Sequence, residues 1–167
     1  MYATKDWLKA SWRAGRDMLR PVTGGSSSSD IHIHQQETPV MVPIRSLGPS
    51  HRERIAQHLL QLEPADRYLR FGYAASDEQI RRYAEQLNFE RDEIFGIYNR
   101  RLELIAMAHL AFSEHPEHKH CAEFGVSVLK QARGRGFGAR LFERAVMHAR
   151  NEGVNMVFIH ALSENTA

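Results

Sequence analysis

The chain has 167 residues, of which 43% are hydrophobic and 25% charged, and it carries a formal net charge of +2. That balance suits one soluble globular domain with a sizeable core; it excludes a disordered or fibrous chain and is too weakly basic to imply a nucleic-acid partner. Cys121 is the only cysteine, so an intrachain disulfide is excluded; no apolar run nears the roughly 18 residues of a membrane span and no signal peptide opens the chain, which together predict a cytoplasmic protein.

In chain order, residues 1–38 read as an appendage and 39–167 as the domain. Met1 to Arg20 places Trp7, Leu8, Trp12, Met18 and Leu19 at roughly helical spacing among five Lys/Arg and two Asp, the pattern of a short amphipathic helix. Thr23-Gly24-Gly25-Ser26-Ser27-Ser28-Ser29-Asp30 reads as a flexible linker, with His32 and His34 solvated beside it. Pro39 to Leu47 predicts a first strand, and Ser50 to Phe71 with Asp77 to Leu87 predicts two helices. Glu93 to Tyr98 and Glu103 to Phe112 read as a hairpin around Asn99-Arg100-Arg101. The turn from Ser113 to His120 holds His115, His118, His120, Glu114 and Glu117, but without a second clustered ligand pair, so no metal is expected.

A strand from Ala122 to Leu129 then leads into Arg133-Gly134-Arg135-Gly136-Phe137-Gly138-Ala139, and Gly138 to Glu152 is an amphipathic helix with Leu141, Phe142, Ala145, Val146 and Ala149 on one face. Alternating glycines let the backbone turn tightly, so that successive N–H groups and the positive end of the helix face an anion. Lys130 to Arg150 holds six Lys/Arg against one Glu, a local excess that suits a polyphosphate. Gly153 stops the helix, and Met156 to Leu162 is a nearly continuous apolar strand. The order strand, loop, helix, strand is a βαβ unit, whose strands should run parallel with the loop at the carboxyl end of the first. The expected class is α/β: a mixed sheet with helices on its faces.

On the strand before the loop, Cys121, Glu123, Gly125 and Ser127 share one face, and Phe124, Val126 and Val128 the other. A carboxylate in an otherwise apolar strand is expensive unless something uses or pairs it, which makes Glu123 the candidate for acid-base chemistry. The competing reading is a salt bridge to Arg67 or Arg70. Cys121 has no histidine fixed beside it by spacing and reads as a buried small hydrophobe.

Glu123-Phe124-Gly125-Val126-Ser127-Val128, a short spacer, Arg133-Gly134-Arg135-Gly136-Phe137-Gly138 and Leu141 resemble the acetyl-coenzyme A signature of the GNAT superfamily of N-acetyltransferases, whose Arg/Gln-x-x-Gly-x-Gly/Ala core falls on Arg133, Gly136 and Gly138. The resemblance covers about Pro39 to Ala167, and Asp66-Arg67-Tyr68-Leu69-Arg70-Phe71 is similar to GNAT domains of bacterial protein-lysine acetyltransferases. It implies a GNAT-like fold, acetyl-CoA as co-substrate, no metal, and an acetyl group passed directly to an amine, from a protein lysine or a small molecule. It implies Glu123 as general base. Coenzyme contacts would fall on Val126, Ser127 and Val128 along the strand and on Arg133, Gly134, Arg135, Gly136, Phe137, Gly138 and Ala139 in the loop, with Asn165 at the pantetheine arm. The last helix and two strands usual in the superfamily lack counterparts before Ala167, which leaves the general acid unassigned and predicts self-association through the exposed C-terminal strand. Two other readings stand beside it. One is a non-catalytic acyl-CoA sensor. The other is a dinucleotide-binding oxidoreductase, in which Gly134-x-Gly136-x-x-Ala139 is the fingerprint and Glu164 the ribose-binding acid.

Overall fold

The computed structural model describes residues 42–159. The expected N-terminal helix and linker, and the expectations for Glu164 and Asn165, lie outside the described residues. The described chain runs β1 (Arg45–Ser46), a 3₁₀ turn (Pro49–His51), α1 (Arg52–Leu60), α2 (Pro64–Phe71), α3 (Asp77–Glu85), β2 (Glu93–Tyr98), β3 (Leu104–Phe112), β4 (Cys121–Val128), α4 (Phe137–Asn151) and β5 (Met156–Ile159). The strands lie in sequence order in one sheet, antiparallel from β1 through β4 and parallel between β4 and β5. This is the expected mixed α/β sheet. Among the described residues no helix is long and apolar enough to cross a membrane.

Two expected elements are corrected. The span Ser50 to Phe71 is two helices, because the chain turns at Gln61 to Glu63 and Pro64 opens α2, where its fixed φ and missing N–H cost nothing. The first strand pairs with β2 only at Arg45 and Ser46; Pro43, without an N–H, cannot extend the ladder upstream.

β4 is packed on both faces. Phe124 is buried and meets Phe142 of α4 edge-to-face at 5.3 Å between ring centres. On the opposite face Ser127 meets His58 of α1, whose ring is buried. His58 Nδ1 lies 2.7 Å from the Leu104 carbonyl, which can only accept, so Nδ1–H donates there and Nε2 accepts the Ser127 hydroxyl at 2.7 Å. Burial, aided by the charge of Arg70 and opposed by the Leu104 bond, lowers the His58 pKa to about 4. In the unfolded chain the same ring takes up its proton near 6.5, so its contribution to stability is complete above that pH and is lost as the pH falls toward 4. Denaturant titrations should therefore show a loss on the order of 2–3 kcal/mol between pH 7 and 4.5 that His58→Gln does not share. Equal acid sensitivity of the two proteins would remove His58 from the account.

Candidate active site

The loop between β4 and α4 is built on two residues of left-handed backbone, Gly134 (φ 78°) and Gly136 (φ 76°), where only glycine is free of strain. Gly136 is the N-cap of α4, and a Cβ built on either glycine meets nothing within 4 Å, so the space above the loop is open. The first N–H groups of α4 have no helical acceptor, and its first turn holds no acidic residue. Arg133 secures the loop from behind: its Nε donates to the Val128 carbonyl at 3.2 Å, and Nη2 pairs with Asp66 of α2 at 2.8 Å. Arg135 lines a cavity of about 580 Å³ beside the loop, with Phe137 and, from the β2–β3 turn, Arg100 and Arg101.

The β4 backbone divides by parity. At its two ends, Ser113 N–H bonds the Cys121 carbonyl and Leu129 N–H bonds the Ile105 carbonyl, so the odd-numbered residues turn their backbone groups toward β3. The even-numbered residues turn theirs toward β5, and the described pairing with β5 ends at Phe124 and Ile159. The amides of Val126 and Val128 thus face a strand edge that leads straight into the glycine loop. Ser127 departs from the expectation: its backbone is turned to β3 and its hydroxyl to His58, so nothing of it faces this edge.

Glu123 is half-buried on the face of β4 that looks toward α2 and α3, opposite Ala111 on β3 and Phe158 on β5. Arg67, one of the two arginines considered as its partner, is spent elsewhere: it holds the Leu60, Leu62 and Ala75 carbonyls and pairs with Asp77 at 2.7 Å. Arg70 lies against Gly125, two residues along the same face from Glu123, and donates through Nη2 to the Tyr83 hydroxyl at 2.8 Å. Burial raises the Tyr83 pKa; Arg70 opposes the shift, and the charges of Asp92 and Glu123 add to it. Asp92 is fully enclosed. Burial works to raise its pKa, but hydrogen bonds from Arg91, His109 and the Phe112 amide outweigh that and hold it at about 2.

The acetyltransferase (GNAT) family model matches residues 53–167. The chain belongs to the GNAT acetyltransferase family. Its fold is also that of solved GNAT structures. The GNAT domain of S. lividans PAT is 20% identical, with a TM-score of 0.60 over 73% of each chain. A putative phosphinothricin N-acetyltransferase is 16% identical, with a TM-score of 0.60 over 75% of this chain and 76% of that one. An N-acetyltransferase from Staphylococcus aureus Mu50 is 15% identical, with a TM-score of 0.57 over 75% and 76%. No curated protein sequence matches the chain.

Within this GNAT fold Val126, Val128 and the loop from Arg133 to Ala139 lie at the C-terminal end of β4, and Glu123 stands near the start of the same strand, five residues before Val128. Phe137 differs from its loop neighbours in that its ring is buried in the core, leaving only its backbone for the loop surface. Cys121 is buried as expected. The reading from sequence missed His58, Tyr83, Asp92 and His109. A polar residue within an apolar strand was the available signal for His109, the same signal that drew notice to Glu123; for the other three, their helices and loops carry no such mark.

Proposed function

We propose that the protein transfers an acetyl group from acetyl-CoA to an amine by direct attack, with Glu123 as the general base. The observation that supports this reading is that the strand bearing Glu123 runs, past its last described pairing with β5 at Phe124, through Val126 and Val128 toward a left-handed glycine cap and a helix start with no acidic residue. Acetyl-CoA supplies the thioester and a diphosphate arm. The amides of Gly136 to Ala139 receive the diphosphate, assisted by Arg135, and Arg133 holds those amides in place. Gly134 keeps a side chain out of their way. Val126 and Val128 bond the pantetheine arm as a further strand would, and a backbone N–H at Val126 faces the negative charge that develops on the acetyl oxygen. Glu123 takes the proton of the attacking amine, directly or through water. The cavity beside Arg135 leaves room for the rest of the nucleotide.

The sensor reading shares the cradle and lacks the transfer. The dinucleotide reading shares only the glycines. Titration calorimetry against acetyl-CoA and NAD, with release of free thiol followed in the presence of an amine panel, separates all three. Acetyl-CoA should bind more tightly, and amine-dependent thiol release should follow; tighter binding of NAD would overturn the proposal. The same proposal includes a cytoplasmic site of action and self-association through the edge of β5, the latter read by sedimentation at micromolar concentration.

A further inference from the structure

The turn between β2 and β3 is held in one shape and carries two arginines. Asn99 Oδ1 accepts the backbone N–H groups of Arg101 and Glu103, both at 2.9 Å, and Asn99 Nδ2 donates to Glu103 Oε2 at 2.7 Å. Backbone bonds from the Leu102 N–H to the Asn99 carbonyl and from the Asn99 N–H to the Glu103 carbonyl close the turn. Within it Leu102 has φ 60°, the left-handed region where a leucine is strained, although its side chain is 60% exposed and gains little from packing. Such strain persists where the surrounding bonds over-determine the backbone, and here it fixes how Arg100 and Arg101 are presented.

Both arginines line the cavity of about 580 Å³ that Arg135 of the glycine loop lines as well. Its apolar wall comes from Val42, Ile105 and Phe137, and Arg140 near the start of α4 ties Val42 in place by donating through Nη2 to its carbonyl at 2.6 Å. Among the described residues, none of the Arg100, Arg101 and Arg135 guanidinium groups has a hydrogen-bond or ion-pair partner. Glu103, the one carboxylate among the described lining residues, is turned to Asn99. Arginines elsewhere are spent: Arg67, Arg91 and Arg133 each hold a carboxylate. Three free cations around one concave space repel one another, and an anion relieves them.

We infer that Arg100 and Arg101 bind a phosphate monoester, the one carried on the ribose of the coenzyme, and so make the protein selective for acetyl-CoA over its 3′-dephospho form. The inference rests on the acetyl-CoA reading of the glycine loop. With the diphosphate on the Gly136 to Ala139 amides, covalent bonds alone keep the 3′-phosphate one sugar ring away from it. The cavity that Arg135 shares with Arg100 and Arg101 then serves both groups, Arg135 the diphosphate and the turn the monoester. Planar guanidinium groups meet phosphate oxygens two at a time, and a dianion rewards a pair of them. The base finds an apolar surface at Val42 and Ile105, in a volume within the roughly 300–1,000 Å³ of small-molecule sites. An acidic peptide segment would satisfy the charges and leave that wall unfilled.

The test is titration calorimetry on the full chain with acetyl-CoA and with 3′-dephospho-acetyl-CoA. Loss of the monoester should weaken binding by a factor on the order of 10–100. Arg100→Gln combined with Arg101→Gln should weaken acetyl-CoA to the same level and leave the dephospho form as it was, so that the two ligands bind alike. Both side chains are exposed and Asn99 holds the turn through backbone groups, so the variant keeps the fold. In the unaltered protein the phosphorus NMR resonance of the 3′-phosphate should shift on binding and titrate at lower pH than in free coenzyme, because the cationic pair favours the dianion. That readout depends on no variant. Both coenzyme forms binding alike to the unaltered protein, a 3′-phosphate that titrates as in free coenzyme, or an acidic peptide engaging the two arginines where the monoester has no effect would overturn the inference and leave acetyl-CoA at the loop. Neither form binding, while adenosine 3′-monophosphate binds through Arg100 and Arg101, would keep the phosphate site and sink the acetyl-CoA reading.

Discussion

Glu123→Gln is expected to lower the rate of acetyl transfer by a factor on the order of 10²–10⁴ while leaving the affinity for acetyl-CoA unchanged. The carboxamide keeps the shape of the side chain between Ala111 and Phe158 but cannot take a proton from an ammonium. The proposed coenzyme contacts are backbone groups of Val126, Val128 and the loop, none of which the substitution touches. The effect should therefore fall on kcat. Raising the pH should restore part of the lost rate, because an amine already deprotonated in solution needs no base. A purely structural Glu123 would give another outcome: lowered stability, an unaltered pH-rate profile and a rate close to that of the parent protein.

Gly136→Val is expected to weaken acetyl-CoA binding by a factor on the order of 100 or more, since it removes two or more charge-assisted bonds from amide groups to the diphosphate. A Cβ at this position projects into the open space above the loop, where the anion must come within hydrogen-bond distance of backbone. The substitution also forces a β-branched residue into φ 76°, at about 1–2 kcal/mol. Against the roughly 5–15 kcal/mol of a whole domain, that strain leaves the protein folded. Far-ultraviolet circular dichroism and a thermal melt would verify this in the same samples used for calorimetry. Unchanged affinity in the folded variant would move the phosphate cradle elsewhere.

The parts of this molecule that follow local rules were legible in the sequence. Two apolar runs on either side of Asn99-Arg100-Arg101 marked the hairpin of β2 and β3, and the glycine loop between an apolar strand and an amphipathic helix marked the parallel pair of β4 and β5 with α4 between them. Pro64 was a readable signal for the break between α1 and α2, through its preference for a first helical turn. What could not be read were pairings set by tertiary structure. His58 and Ser127 are 69 positions apart, and nothing local ties an imidazole on a helix to that strand. The line from Arg70 through Tyr83 and His109 to Asp92 draws one residue from each of four segments. Glycine at 125 permits a close approach to β4, and only the packed structure shows that what approaches is a guanidinium. Ser127 illustrates the converse: alternation assigned its face correctly, while its hydroxyl went to a partner that alternation cannot see.

Residue-resolved amide hydrogen exchange, with and without acetyl-CoA, tests the central claim most directly. Binding should slow exchange at Val126, Val128 and Gly136 to Ala139, which lie past the described pairing with β5 or start α4. It should leave Ser127 as it was, its amide being already turned toward β3. Protection that skips the Val126 and Val128 amides, or that gathers away from the loop, would contradict the assignment of this strand and loop as the acetyl-CoA site.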